Sequence, residues 1–111
     1  MRMMLVGAGA VGESIVKVMQ WRDPKGEWLE YVLVCDYDKA RAQEVVDKLS
    51  GDTRFEAEKV NATDREDMKN LIKAHKIDFV MDAAPPFASN MIFDAAFDAG
   101  ANYGSMGTWS V

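Results

Sequence analysis

The chain has 111 residues, enough for one domain with a single core. Hydrophobic residues make up 49% and charged residues 28%, an ordinary globular balance, and no apolar run nears the roughly 18 to 20 residues of a membrane-spanning helix. The net charge is −5 and the lysines and arginines are dispersed, which excludes the clustered cationic surface that sequence-independent nucleic-acid binding needs. The opening MRMMLVG lacks the long apolar region and small-residue cleavage site of a secretory signal. The single cysteine, Cys35, excludes an internal disulfide and fits a reducing cytoplasm.

Met3 to Val6 is an apolar run stopped by Gly7 and reads as a first strand. Val11, Ile15, Val18 and Met19 then recur at helical spacing, one face of a helix. Residues 21–30, with Pro24 and Gly26, read as a loop. Tyr31 to Cys35 is β-branched and nearly all apolar, as a strand covered on both faces should be. Ala42, Val45, Val46 and Leu49 form a second helical stripe, ended by Ser50 and Gly51. Residues 53–60 alternate around Phe55 and Ala57, a third strand nearer the sheet edge. Thr63 with Glu66 makes a capping box ahead of the stripe Met68, Leu71 and Ile72. Residues 77–81 form the fourth strand, Phe87 to Ala99 the fourth helix with Gly100 at its C-cap, and Ala101 to Tyr103 the start of a fifth strand.

Strand alternating with helix predicts an α/β fold of Rossmann type, a doubly wound parallel sheet with helices on both faces. The expected strand order is 3-2-1-4-5, with a ligand crevice where the order reverses between strands 1 and 4.

Gly7-Ala8-Gly9-Ala10-Val11-Gly12 matches G-x-G-x-x-G. Alone, such a match fits a tight strand-to-helix corner as well as a phosphate site. Its place between a strand and a helix favours the site: the first glycine permits the turn, the second admits a pyrophosphate, and the third lets helix and strand pack closely. Glu13 is expected to face solvent, away from any phosphate. Asp36 ends the second strand 24 positions after Gly12, near the spacing of about 20 for an acid that accepts the adenosine ribose hydroxyls. A carboxylate there repels a 2′-phosphate and favours NAD over NADP, although Lys39 and Arg41 lie close enough to reach one. Asp36 or Asp38 capping the next helix is the plainer alternative. Asn61 and Ala62, after the third strand, suit the flank of an adenine. Asp82-Ala83-Ala84-Pro85-Pro86, after the fourth, offers a small rigid wall against which a nicotinamide can lie, or a plain helix start.

The glycine fingerprint, Asp36 and above all DFVMDAAPPFASNMIFDAAFDAGANY (78–103) resemble the N-terminal domain of the saccharopine dehydrogenase family over essentially the whole chain. That family shows an apolar strand, Ala-Pro-Pro or Leu-Pro-Pro, then a helix ending Ala-Gly-x-x-Tyr; Ser105 stands where it usually carries an aspartate. The resemblance implies an NAD(P)-binding domain of an oxidoreductase that interconverts imine and secondary amine by hydride transfer in amino-acid or polyamine metabolism. It also implies a cytoplasmic, homo-oligomeric full-length protein, with residues 1–111 its N-terminal dinucleotide-binding part. The substrate site and proton-transfer residues are then expected in sequence absent here, so no catalytic residue is assigned.

The remaining candidates read as structural. His75 finishes a helical stripe, Cys35 sits in a strand as an inert thiol, and the eight methionines serve as core packing. No cysteine or histidine cluster suggests a metal. Trp21, Trp28 and Trp109 fall outside the sheet core. A nucleotide-sensing regulatory module would explain the short length, but it gives no reason for the Ala-Ala-Pro-Pro-Phe segment. A methyltransferase would need its own motif after the fourth strand, and none is present.

Overall fold

The computed structural model describes residues 1–105. In chain order the elements are β1 (Arg2–Val6), α1 (Ala10–Arg22), β2 (Tyr31–Asp36), α2 (Lys39–Asp47), β3 (Phe55–Lys59), α3 (Arg65–Ala74), β4 (Phe79–Asp82), a 3-10 turn (Pro86–Ala88), α4 (Ser89–Ala99) and β5 (Asn102–Ser105). The five strands form one parallel sheet in the order β3-β2-β1-β4-β5, as the alternation predicts. Val6 stands beside Cys35 on one side and Asp82 on the other, and Asp82 beside Ser105. The carboxyl ends of β1, β2, β4 and β5 therefore finish level, along one edge.

Alternation along the strands divides the core in two. Met4, Val6, Leu33, Cys35 and Val80 pack with Met68 and Ile72 of α3 and Ile92, Ala95 and Ala96 of α4. Met3, Leu5, Val32, Val34 and Phe55 pack on the other face with Val16 of α1, Ala42 and Val45 of α2, and Leu49. Burying each such aliphatic side chain contributes roughly 1.5–3 kcal/mol, which makes these two layers the main stabilising term.

Several local expectations are corrected. The stripe Val11, Ile15, Val18 and Met19 is not the buried seam of α1; Gly12 and Val16 are, and Val11 and Val18 are each 52% exposed. The helix rests on its glycine, which turns the stripe aside. There, with Met81, it lines an open apolar groove of about 630 Å³. Thr63 does not cap α3. Asp64 does, accepting from Glu66 and Asp67 N–H, while the Thr63 hydroxyl donates to Asn61 Oδ1 at 2.6 Å. β4 begins at Phe79, because Ile77 N–H still donates to the Ile72 carbonyl as α3 closes. The methionines are only partly core: Met3, Met4 and Met68 are buried, but Met1 and Met91 are exposed. Trp21 and Trp28 are exposed, and Trp109 lies outside the described residues. His75 is the C-cap of α3, its ring stacked on Tyr31.

Candidate functional site

The turn from β1 into α1 is fixed by backbone crowding. Gly7 has φ +104°, and a Cβ there would lie 2.7 Å from the Ala83 carbonyl oxygen. Its N–H donates to the Cys35 carbonyl at 2.8 Å. A Cβ on Gly12 would lie 2.0 Å from the Gly7 carbonyl oxygen, so only glycine lets α1 close on the turn. Gly9, the N-cap of α1, differs from both. Its φ of −79° is open to any residue, and a Cβ would meet nothing within 4 Å among the described residues. Neither strain nor packing calls for glycine at this position. No side chain among the described residues caps the helix here, which leaves the first-turn N–H groups without a side-chain acceptor. Free N–H groups at the positive end of the helix dipole, with room for a group lacking from the protein itself, fit a pyrophosphate.

Asp36 ends β2 with its carboxylate turned to this loop. Oδ2 accepts from Ala8 N–H at 2.9 Å and Oδ1 from Asp38 N–H at 3.0 Å. Each oxygen keeps a second lone pair, so these bonds leave room for a hydroxyl donor. The cap of α2 is Asp38, which accepts from Ala40 N–H, so the two acids have separate tasks. Arg41 donates from Nε to the Ala8 carbonyl at 3.2 Å. Ala8 is thus gripped at its N–H by the end of β2 and at its carbonyl by α2.

A small crevice of about 80 Å³ is lined by Val6, Gly7, Asp36, Tyr37, Val60, Ala62 and Ala84. It brings together Gly7, Asp36, Ala62 and Ala84 from the expected set. Gly9 and Ala10 border a second cavity of about 340 Å³ between α1 and α2, beside Arg41 and Lys48. Ala10 and Val11 also line the apolar groove along α1. The others are placed less directly. Asn61 turns its side chain to Thr63 and borders a separate cavity near α3 and α4. Ala83 is packed beneath the turn, its N–H donating to the Val6 carbonyl at 2.9 Å, and Pro85 is exposed.

Glu13 does not simply face solvent: it is paired with Lys17 at 2.7 Å and Lys48 at 3.1 Å. Its hydrogen bond to Lys17, then that to Lys48, holds its carboxyl below the usual range, so it stays ionised beside its two lysines. Burial pushes the Cys35 thiol well up, leaving it unreactive beneath the crevice. Sequence reasoning missed Tyr37, an exposed ring over Lys59 Nζ at the mouth of the crevice. An aromatic between the strand-end Asp36 and the helix-capping Asp38 was its one signal. Asp82 was placed only in a loop, yet it closes β4 and is fully buried.

A parallel sheet ordered 3-2-1-4-5, a glycine turn into a helix N-terminus and an acid at the end of β2 together define a Rossmann-type dinucleotide-binding domain. The chain belongs to the saccharopine dehydrogenase NADP binding domain family, whose sequence model matches residues 3–108. It is 28% identical to carboxynorspermidine synthase of Vibrio cholerae, covering 93% of this chain and 26% of that protein. The chain thus spans about a quarter of the length of the curated relative it matches. Among solved structures it is similar to saccharopine dehydrogenase (L-Glu forming) of Saccharomyces cerevisiae, with TM-score 0.75, 14% identity, and coverage of 94% of this chain and 21% of that one. It is also similar to dTDP-glucose 4,6-dehydratase of Bacillus anthracis in complex with NAD, with TM-score 0.76, 12% identity, and coverage of 95% and 36%. At these identities the two structures share the fold. No helix among the described residues is long and apolar enough to cross a membrane.

Proposed function

We propose that this domain holds NAD(P) for a cytoplasmic oxidoreductase acting on a carbon–nitrogen bond, imine on one side and secondary amine on the other, in amino-acid or polyamine metabolism. Membership of the family and the likeness to a carboxynorspermidine synthase support the reaction class. The observation that carries nucleotide binding is Gly9, a glycine with no structural need to be one, at a helix N-terminus with no side-chain cap. When bound, the nicotinamide supplies or accepts the hydride.

The chain's own residues bind and orient. Gly9 and Gly12, with Ala10 and Val11, cradle the pyrophosphate through backbone N–H groups and the helix dipole, and Gly7 makes the turn that presents them, its own N–H being held by the Cys35 carbonyl. Asp36 accepts from the adenosine ribose while keeping Ala8 in place. Asn61 and Ala62 flank the adenine by shape, since the Asn61 side chain is taken up by Thr63 and its N–H by Asp67. Ala83, Ala84 and Pro85 line the nicotinamide side. Substrate binding and proton transfer fall to residues outside these 111, in keeping with the fraction of the relative that the chain spans.

The Asp36 carboxylate favours NAD over NADP by charge repulsion of a 2′-phosphate. Calorimetric titration of the chain with NAD and NADP tests both points. Wild type is expected to bind NAD more tightly. Asp36→Ala is expected to lose about tenfold in NAD affinity, the equivalent of about 1.4 kcal/mol, with NADP affected less. Absence of binding to either nucleotide refutes the reading.

A further inference from the structure

Two acids are buried in this domain, and they are used differently. Asp23 is spent on the loop after α1, accepting from Glu27, Trp28 and Leu29 N–H. Asp82 sits at the carboxyl end of β4 with no exposure at all, at the edge where the nucleotide is placed. No cation pairs with it among the described residues. A carboxylate so placed is costly unless donors satisfy it, and an apolar residue would serve the core better. Its donors are specific. Oδ1 accepts from Ala84 N–H at 2.9 Å, and Oδ2 accepts from the Tyr103 hydroxyl at 2.6 Å.

Both partners lead back to the crevice. Ala84 lines it, and the preceding Ala83 is held by the Val6 carbonyl and lies against Gly7. Tyr103 comes from β5, and its ring meets Phe93 of α4 edge-on, with centroids 5.4 Å apart. One carboxylate therefore ties β5 and α4 to the loop after β4 and sets how that loop stands against the glycine turn. Burial, then the hydrogen bond to Asp82, raises the Tyr103 phenol above its usual range, so it remains a donor at neutral pH.

We infer that Asp82 and Tyr103 are positioning residues for the nucleotide crevice: they hold the loop Ala83–Pro85, and with it Ala84, against the glycine turn, without touching the ligand. The inference rests on the nucleotide reading above. A brace of this kind acts on nucleotide affinity, and its rescue by a side chain that keeps both hydrogen bonds separates it from a role in stability alone.

The test titrates the full 111-residue chain with NADH or NADPH, followed by nicotinamide fluorescence, and with the matching ADP-ribose, which lacks the ring, followed by calorimetry. Tyr103→Phe is expected to weaken both ligands about five- to tenfold, the scale of one hydrogen bond to a charged group. Asp82→Asn, whose amide can accept from Ala84 and donate to Tyr103, is expected to stay within about threefold of wild type for both ligands. Asp82→Ala has neither ability and is expected to match or exceed the loss in Tyr103→Phe. If Asp82→Ala does not fold, Tyr103→Phe and Asp82→Asn decide. Weakening of neither ligand in Tyr103→Phe overturns the inference, as does Asp82→Asn behaving like Asp82→Ala. A wild-type chain that binds neither ligand overturns the nucleotide reading itself, and the positioning role with it.

Discussion

Gly9 and Gly12 lie three residues apart in one motif, yet alanine is expected to have opposite consequences at the two. At Gly12 the added Cβ would sit 2.0 Å from a backbone carbonyl oxygen that no rotamer change can move. Overpacking costs roughly 1–3 kcal/mol, and a contact this short belongs at the upper end. Helix propensity returns at most about 1 kcal/mol. The net loss is about 2 kcal/mol, or a fall in Tm of about 10 °C for a domain of this size. At Gly9 the new methyl meets nothing and φ is already ordinary. Stiffening the unfolded chain adds about 0.4–1 kcal/mol, and the poorer N-cap removes about 0.5 kcal/mol, so stability is nearly unchanged. The same methyl projects into the space assigned to the pyrophosphate, and NAD(P) affinity is expected to fall at least tenfold, or about 1.4 kcal/mol. Urea and thermal unfolding measure the first quantity and calorimetry the second. A Gly9→Ala chain as unstable as Gly12→Ala, or one that binds as wild type does, refutes the division between a packing glycine and a binding glycine.

Hydrogen bonding to Arg54 holds the Asp52 carboxyl at about 2 against a usual 3.8. Its contribution, about 2 kcal/mol, is therefore complete above roughly pH 4 and is lost as pH falls through 2; urea melts of Asp52→Asn should lack that part of the wild-type acid dependence. Cys35 is fully buried with its thiol pushed up by desolvation, so an aromatic disulfide reagent should label it only as fast as the chain unfolds, and fast labelling under native conditions would contradict the burial. Asp64→Ala should cost about 1 kcal/mol as a lost N-cap, and Thr63→Ala less than about 0.5 kcal/mol, by chemical denaturation.

How far the fold was legible follows from which signals are local. Strand order came through because a glycine turn, β-branched runs and helical stripes alternate without exception, and right-handed crossovers leave little choice. Boundaries failed where two residues compete for one task. Thr63 and Asp64 are both able caps, and the Asn61 side chain decided between them by taking the Thr63 hydroxyl. Ile77 reads as a strand residue by type, but its N–H closes α3. The stripe of α1 misled because spacing shows which residues share a face and not which way the face turns. Gly12, contributing almost nothing to an apolar count, sets the rotation through its contact with Gly7.

The candidate site divides along the same line. Gly7, needed for its backbone conformation, and Gly12, needed for close approach, are readable from type and order alone, because no other residue fits. Asp36 is readable in position only: a strand-end acid can hold a ribose, cap a helix or brace a turn. In the structure it braces Ala8 while a second lone pair on each oxygen stays available. These roles support one another, because the hydroxyls it would accept must arrive beside the turn proposed to hold the pyrophosphate. Asp82 carries the same logic to the other half of the crevice, and there the sequence was silent. Its partner Tyr103 is 21 residues away, and only the parallel pairing of β4 with β5 brings the two together. A buried acid at a strand end is thus informative only once its donors are known, and the donors follow from topology.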